Sequence, residues 1–79
     1  MIQLKVLSPE AVLIDREVDA VTLPGALSPF QVLKDHAPLI SPLEKGEIVW
    51  RAGETEGRLA ITSGFVEVLD NTVSACVER

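Results

Sequence analysis

Asp35 and His36 stand next to each other, and Ser41 and Ser63 are within reach in the chain. A serine hydrolase needs such residue types: a hydroxyl nucleophile, an imidazole base, and a carboxylate to orient the ring. The spacing argues against it. Neighbours on a loop or strand point apart, which leaves Asp35 badly placed to orient the His36 ring. Ser63-Gly64 lacks the G-x-S-x-G turn that presents a nucleophile. His36 reads instead as a loop or interface histidine. Asp15, Glu17 and Asp19 recur with period two, and on a strand they share a face, with Arg16 on the other. They could hold a divalent cation weakly. Tight calcium loops use more oxygen ligands and a sharp glycine turn, so a solvated strand edge that discourages sheet-to-sheet pairing is the better reading. Cys76 and His36 are the only residues of their types, which excludes an intrachain disulfide and a Cys/His zinc cluster. Cys76, with no basic neighbourhood, reads as inert. Neither G-x-x-x-x-G-K-[ST] nor G-x-G-x-x-G occurs. Gly25, Gly46, Gly53, Gly57 and Gly64 are read as turn residues with positive φ. The expectation is no catalytic residue, no cofactor and no metal.

The elements that would carry these residues are short strands. Ile2-Gln3-Leu4-Lys5-Val6 alternates apolar and polar, the period of a half-buried strand. Further strands are expected near 12–14, 18–23, 30–33, 47–51, 58–62, 65–69 and 73–77, with a short apolar pair at Leu39-Ile40. Between them fall Pro24-Gly25, Ser28-Pro29, Glu44-Lys45-Gly46, an exposed tip over 53–57, and Asp70-Asn71. Five prolines and five glycines over 79 residues leave no room for a long helix. Turn signals this frequent, with Val- and Ile-rich runs between them, predict an all-β sandwich or barrel in one domain. In Phe65-Val66-Glu67-Val68-Leu69 both faces carry apolar residues. Val66 and Val68 share one side, and Phe65 and Leu69 the other. Phe65 either packs under a loop or covers a partner.

Size and charge narrow the function. A domain of this length buries a limited fraction of its surface and is thinly stabilised. With disulfides and metals excluded, a partner is the remaining support, and 47% hydrophobic residues fit one. The net charge of −5 disfavours nucleic acid and anionic lipid surfaces. The N-terminus lacks the continuous apolar stretch of a signal peptide, because Gln3 and Lys5 interrupt it. No run approaches the ~20 apolar residues of a membrane helix. A small-molecule cavity of ~300 Å³ or more is hard to enclose in so short a chain.

Several segments resemble, in order and spacing, the epsilon subunit of bacterial-type rotary ATP synthases. They are Pro24-Gly25, Phe30-Gln31-Val32-Leu33, His36-Ala37-Pro38-Leu39-Ile40, Leu43-Glu44-Lys45-Gly46-Glu47-Ile48 and Thr62-Ser63-Gly64-Phe65-Val66-Glu67-Val68, with Leu4 to Glu10 similar to the family's first strand and turn. The resemblance spans essentially the whole chain. It implies a flattened sandwich of about ten short strands in two sheets. It implies a non-catalytic rotor part at the foot of the central stalk, peripheral on the cytoplasmic face of the bacterial inner membrane, coupling the gamma subunit to the membrane c-ring. Carried over by position, Ala26, Leu27, Ser28, Pro29 and Phe30 form the ring-facing loop. His36, Ala37, Pro38 and Leu39 lie beside the gamma and ring contacts. Phe65 is the further partner-interface candidate, on the strength of the apolar second face of its strand rather than of the resemblance. Pro29 and Pro38 would stiffen those loops.

The chain departs from the family's pattern in places. Ser28 and Gln31 stand where glycine is common, Lys34-Asp35 where Pro-Gly is common, and Thr62-Ser63-Gly64 where Ser-Gly-Gly is usual. These alter the expected loop shape more than the fold. The family's common form continues into a two-helix domain that can inhibit hydrolysis. The chain ends at Arg79 after the last strand, so no helical latch and no ATP binding are expected within it. The competing reading is a free-standing β-sandwich adaptor that binds a peptide along a sheet edge. The two differ in where apolar surface is exposed: a sheet face and one loop end for the rotor part, an edge strand for the adaptor.

Overall fold

The computed structural model describes residues 1–79 and contains nine strands and no helix. They are β1 (Ile2–Leu7), β2 (Val12–Val18), β3 (Ala20–Leu23), β4 (Phe30–Val32), β5 (Leu39–Leu43), β6 (Gly46–Ala52), β7 (Thr55–Ile61), β8 (Ser63–Leu69) and β9 (Thr72–Glu78). They form a larger, five-stranded sheet ordered β2-β1-β9-β8-β5 and a smaller, four-stranded one ordered β4-β3-β6-β7. All pairings are antiparallel except β1 with β9.

The period-two patterns explain the packing. Ile2, Leu4 and Val6 of β1, Val66 and Val68 of β8, and Val73, Ala75 and Val77 of β9 point inward. They meet Val21, Leu23, Val32, Ile48 and Ile61 of the smaller sheet in one core of 15 buried residues. No polar or charged residue is buried. This is the all-β sandwich expected from the turn spacing.

Strand bounds differ from expectation in instructive places. The second strand runs on to Val18, and the chain then changes sheet at Asp19. Asp15 and Glu17 therefore share the outer face of β2, but Asp19 is separated from them at the corner. Its backbone N–H donates to Arg51 O at 2.7 Å, and its carboxylate accepts from Gly53 N–H at 2.7 Å. The acidic residues are thus split between roles, with Asp15 accepting from the Gln3 amide at 2.6 Å.

The glycines are also corrected. Only Gly53 and Gly64 have positive φ. Gly57 lies within β7 opposite Trp50, not in a hairpin tip, and the tip is only Gly53-Glu54. A Cβ at Gly57 would fall 2.0–2.3 Å from three indole carbons of Trp50. Gly57 is therefore glycine because the indole lies flat across its backbone. The stacking half-buries Trp50 and leaves its Nε1 buried without a partner.

Candidate functional site

Two neighbouring surfaces collect the residues expected to act. The first is at one end of the sandwich. Pro24 O accepts from Glu44 N–H at 2.8 Å, and Ala26 N–H donates to Pro42 O at 3.2 Å, so the 24–29 loop is tied to β5. Gly25 makes an isolated bridge to Leu43. A Cβ there would lie 2.6 Å from Ser28 O and 2.9 Å from the Phe30 ring, so the tight fold-back of the loop requires glycine. The loop, His36, Leu39 and the start of β5 enclose an open groove of about 550 Å³. Ala26, Leu27, Ser28, Phe30, His36 and Leu39 all line it. Pro29, Ala37 and Pro38 lie in the same two segments without lining it. Leu27 projects fully into solvent, at 102% relative exposure.

His36 is not oriented by a carboxylate. Its Nδ1 is 2.7 Å from Ala37 O, which accepts the hydrogen bond, and Ser41 Oγ donates to Pro42 O at 3.0 Å. Asp35 is turned elsewhere. It adopts φ 63°, a left-handed conformation that Asp tolerates better than most side chains. Its backbone N–H donates to Asn71 Oδ1 at 2.6 Å, and Asn71 Nδ2 donates to Asp35 Oδ1 at 3.1 Å. Asn71 sits in the two-residue β8–β9 turn with Asp70, both at positive φ (58° and 48°), as a type I′ hairpin demands. This reciprocal pair pins the 33–37 loop to the β8–β9 turn. It supplies by side-chain bonding the turn that glycine at this place would reach through backbone freedom.

The second surface is the outer face of the larger sheet. Register places Pro42, Phe65, Cys76, Leu7 and Val12 side by side, one from each strand. At a strand spacing of about 4.8 Å, this apolar row is roughly 19 Å long. Phe65 is 54% exposed and Val12 64%. Phe65 is therefore not under a loop, and Leu69 is likewise exposed on the same side. A shallow depression of about 440 Å³ opens beside Phe65, between Leu7, Pro9 and Cys76. The next row reads Ile40, Glu67, Ser74, Lys5, Asp15. Ile40 and Pro42 belong to both surfaces, so groove and sheet face are continuous.

Of the expected residues, only Phe65 lies on the sheet face. Leu7, Val12, Ile40, Pro42 and Cys76 join it, although the sequence marks none of them for an interface and marks Cys76 as inert. Leu7 was signalled weakly, because it occupies a polar position of the β1 alternation. Cys76 packs in the apolar row as a small hydrophobe.

The opposite outer face, on the smaller sheet, has a different character. Arg58 donates to Glu47 at 3.2 Å across the β6–β7 pair and to Glu56 at 3.1 Å along β7. The bond to Glu47, then that to Glu56, raise the pKa of the guanidinium further above its ordinary value. No helix is present that is long and apolar enough to cross a membrane.

The family model "ATP synthase, Delta/Epsilon chain, beta-sandwich domain" matches residues 1–79. The chain belongs to this family. Similar relatives include the ATP synthase epsilon chain of Leptospira borgpetersenii serovar Hardjo-bovis, 41% identical over 78 residues, an alignment covering 99% of this chain and 61% of that one. The ATP synthase epsilon chain of Desulfitobacterium hafniense (strain DCB-2) is 41% identical over 71 residues, covering 90% and 54%. The fold matches a chain of the Euglena gracilis mitochondrial ATP synthase (OSCP/F1/c-ring) with TM-score 0.92 at 22% identity, covering 99% of this chain and 51% of that one. It also matches a chain of the Tetrahymena thermophila mitochondrial ATP synthase central stalk/c-ring with TM-score 0.82 at 16% identity, covering 99% and 63%. The protein thus spans about three-fifths of the length of the Leptospira relative. It corresponds to the family's β-sandwich domain, as the segments from Pro24 onward implied.

Proposed function

We propose that the protein is a non-catalytic rotor subunit of the central stalk of a proton-translocating ATP synthase, peripheral on the cytoplasmic face of a bacterial inner membrane. The outer face of the larger sheet packs on the gamma subunit. The loop end, with Ala26 to Phe30 foremost and His36 to Leu39 beside it, meets the polar loops of the c-ring. One observation carries this reading: an exposed apolar row crosses every strand of one sheet and runs into the groove at the loop end.

The surface suits the task. A rotor coupler passes torque through a broad, stiff contact and needs no reacting group. A standard interface takes roughly 800 Å² from each partner, about a sixth of this molecule's 4762 Å². One broad face is enough. The adaptor alternative needs an open edge, and the edges are blunted. On β5 the edge carries Pro42, on β2 it carries Asp15, Arg16 and Glu17, on β7 it carries Glu56 and Arg58, and β4 is three residues long.

The test is co-expression with the gamma subunit of the same genome, followed by size-exclusion chromatography. A stable one-to-one complex, more soluble than the isolated protein, is the expected result. A monomer that ignores gamma, also with alpha and beta subunits supplied, would overturn the rotor assignment.

A further inference from the structure

Within the outer face of the larger sheet, one charge is out of character. Glu67 lies on β8, an inner strand between β9 and β5, not at the rim. Its neighbours along the strand on the same face are Phe65 and Leu69, and its cross-strand neighbours are Ile40 and Ser74. Ile40, Phe65 and Leu69 are all exposed. Both ion pairs of the protein are made by Arg58 on the other sheet, so Glu67 has none. The cation on its own face is Lys5, two strands away at roughly 9–10 Å between backbones, and Lys5 stands in register with Asp15 instead. Asp15 and Glu17 also face this way, but on the edge strand β2, where they keep their water when the centre is covered.

We infer that Glu67 is the charged specificity determinant of this face, and that the surface covering it sets a lysine or arginine against the Glu67 carboxylate. This rests on the reading of the face as the gamma-binding surface. Covering the apolar residues around Glu67 strips water from its carboxylate. An uncompensated carboxylate beneath an apolar partner strongly opposes association, whereas one paired with a well-placed cation does not. The face carries Lys5 against Asp15, Glu17, Glu67 and Glu78, so its field also favours a basic partner surface and opposes an acidic one. Apolar contact holds the two parts together, and Glu67 selects which apolar surface is accepted and in what register.

The test measures the affinity of the protein for its gamma subunit as a function of salt, for wild type, Glu67→Gln, Glu67→Lys and Phe65→Asp, with thermal melts to confirm folding. Glu67 is exposed, so its variants should melt like wild type. Loss of a charge-assisted contact should weaken Glu67→Gln by about tenfold or more and flatten the salt dependence. Glu67→Lys should bind worse still, and reversing one basic residue of gamma to glutamate should restore it. Wild-type affinity and salt slope in Glu67→Gln would overturn the inference, as would failure of every such reversal to rescue Glu67→Lys. The outcome for Phe65→Asp separates the two readings. If it abolishes binding while Glu67→Gln is neutral, the face is the interface and Glu67 is not its determinant. If it binds like wild type, the face itself is wrongly assigned.

Discussion

On the smaller sheet, the outward charges largely answer one another: Arg58 reaches Glu47 and Glu56, and Arg51 stands exposed in register with Glu56. On the larger sheet, apart from the Gln3–Asp15 bond near the edge, the outward side chains are left over. Phe65, Leu7, Val12 and Cys76 line up with nothing above them, and Glu67 stands among them unpaired. Both sheets use the same inward alternation to build one core, so the difference is not demanded by folding. A face of interleaved opposite charges is finished for water. A face that leaves a row of hydrophobes across all its strands is suited to a partner. The contrast separates a face that water covers well from the face on which the proposed binding rests.

The sharpest way to break the contrast is to put a charge on each face. Phe65→Asp should weaken binding to gamma by about 2 kcal/mol or more, the scale of a central aromatic contact, with the fold retained because Phe65 is 54% exposed. Val49→Asp, on the outer face of the smaller sheet, should leave binding unchanged. Titration of each variant against gamma, with circular dichroism as the folding check, decides. An unfolded Phe65→Asp would make Phe65 a core residue, and loss of binding in Val49→Asp would erase the distinction between the faces.

The next largest effect lies inside the smaller sheet. Gly57→Ala puts a Cβ into the Trp50 ring, within 2.0–2.3 Å of its carbons. The indole must leave its place over β7. Overpacking of this kind costs about 1–3 kcal/mol, read as a lower midpoint in chemical denaturation. If the variant melts like the wild type, the indole is not held there.

How far these features were legible in the sequence follows from what periodicity encodes. Alternation assigns a face, so Val66 and Val68 inward with Phe65 and Leu69 outward could be read directly. So could the core positions of β1 and β9 and the Asp70-Asn71 turn. Alternation does not assign a neighbour. Leu7 and Cys76 come from opposite ends of the chain and become adjacent only because β1 lies parallel to β9. The apolar row was invisible for that reason, although Phe65 was suspected. Gly57 looked like a turn residue because what excludes a side chain there is Trp50, on the paired strand. The groove fared better, since both segments were marked by prolines and by family resemblance. What holds them in shape, the Asn71–Asp35 pair, spans 36 residues and left no local signal.

That pair gives a smaller, more local prediction. Asn71→Ala removes both hydrogen bonds and places alanine at φ 58°, for a loss of about 1–2 kcal/mol in stability. Asn71→Gly keeps the turn and removes only the clamp, so most of the stability should return. In both variants the Asp35 amide should exchange with solvent faster, because its acceptor is gone. Unchanged exchange in both would mean that the 33–37 loop is held by its own backbone, and the loop end would owe nothing to the larger sheet's turn.

The smallest effect is expected where the molecule looks most firmly tied. Arg58→Ala deletes both ion pairs at once, yet all three side chains are half or more exposed. Exposed pairs gain little against the entropy of holding long side chains, and salt screens them. The thermal midpoint should move by little more than replicate scatter, and by less as salt is raised. Binding to gamma should not move at all. A large, salt-resistant loss of stability would mean that Arg58, Glu47 and Glu56 act as a rigid network across β6 and β7. The finished face would then help hold the fold together, and the division between a solvent side and a partner side would have to be redrawn as one between two structural sides, only one of which also binds.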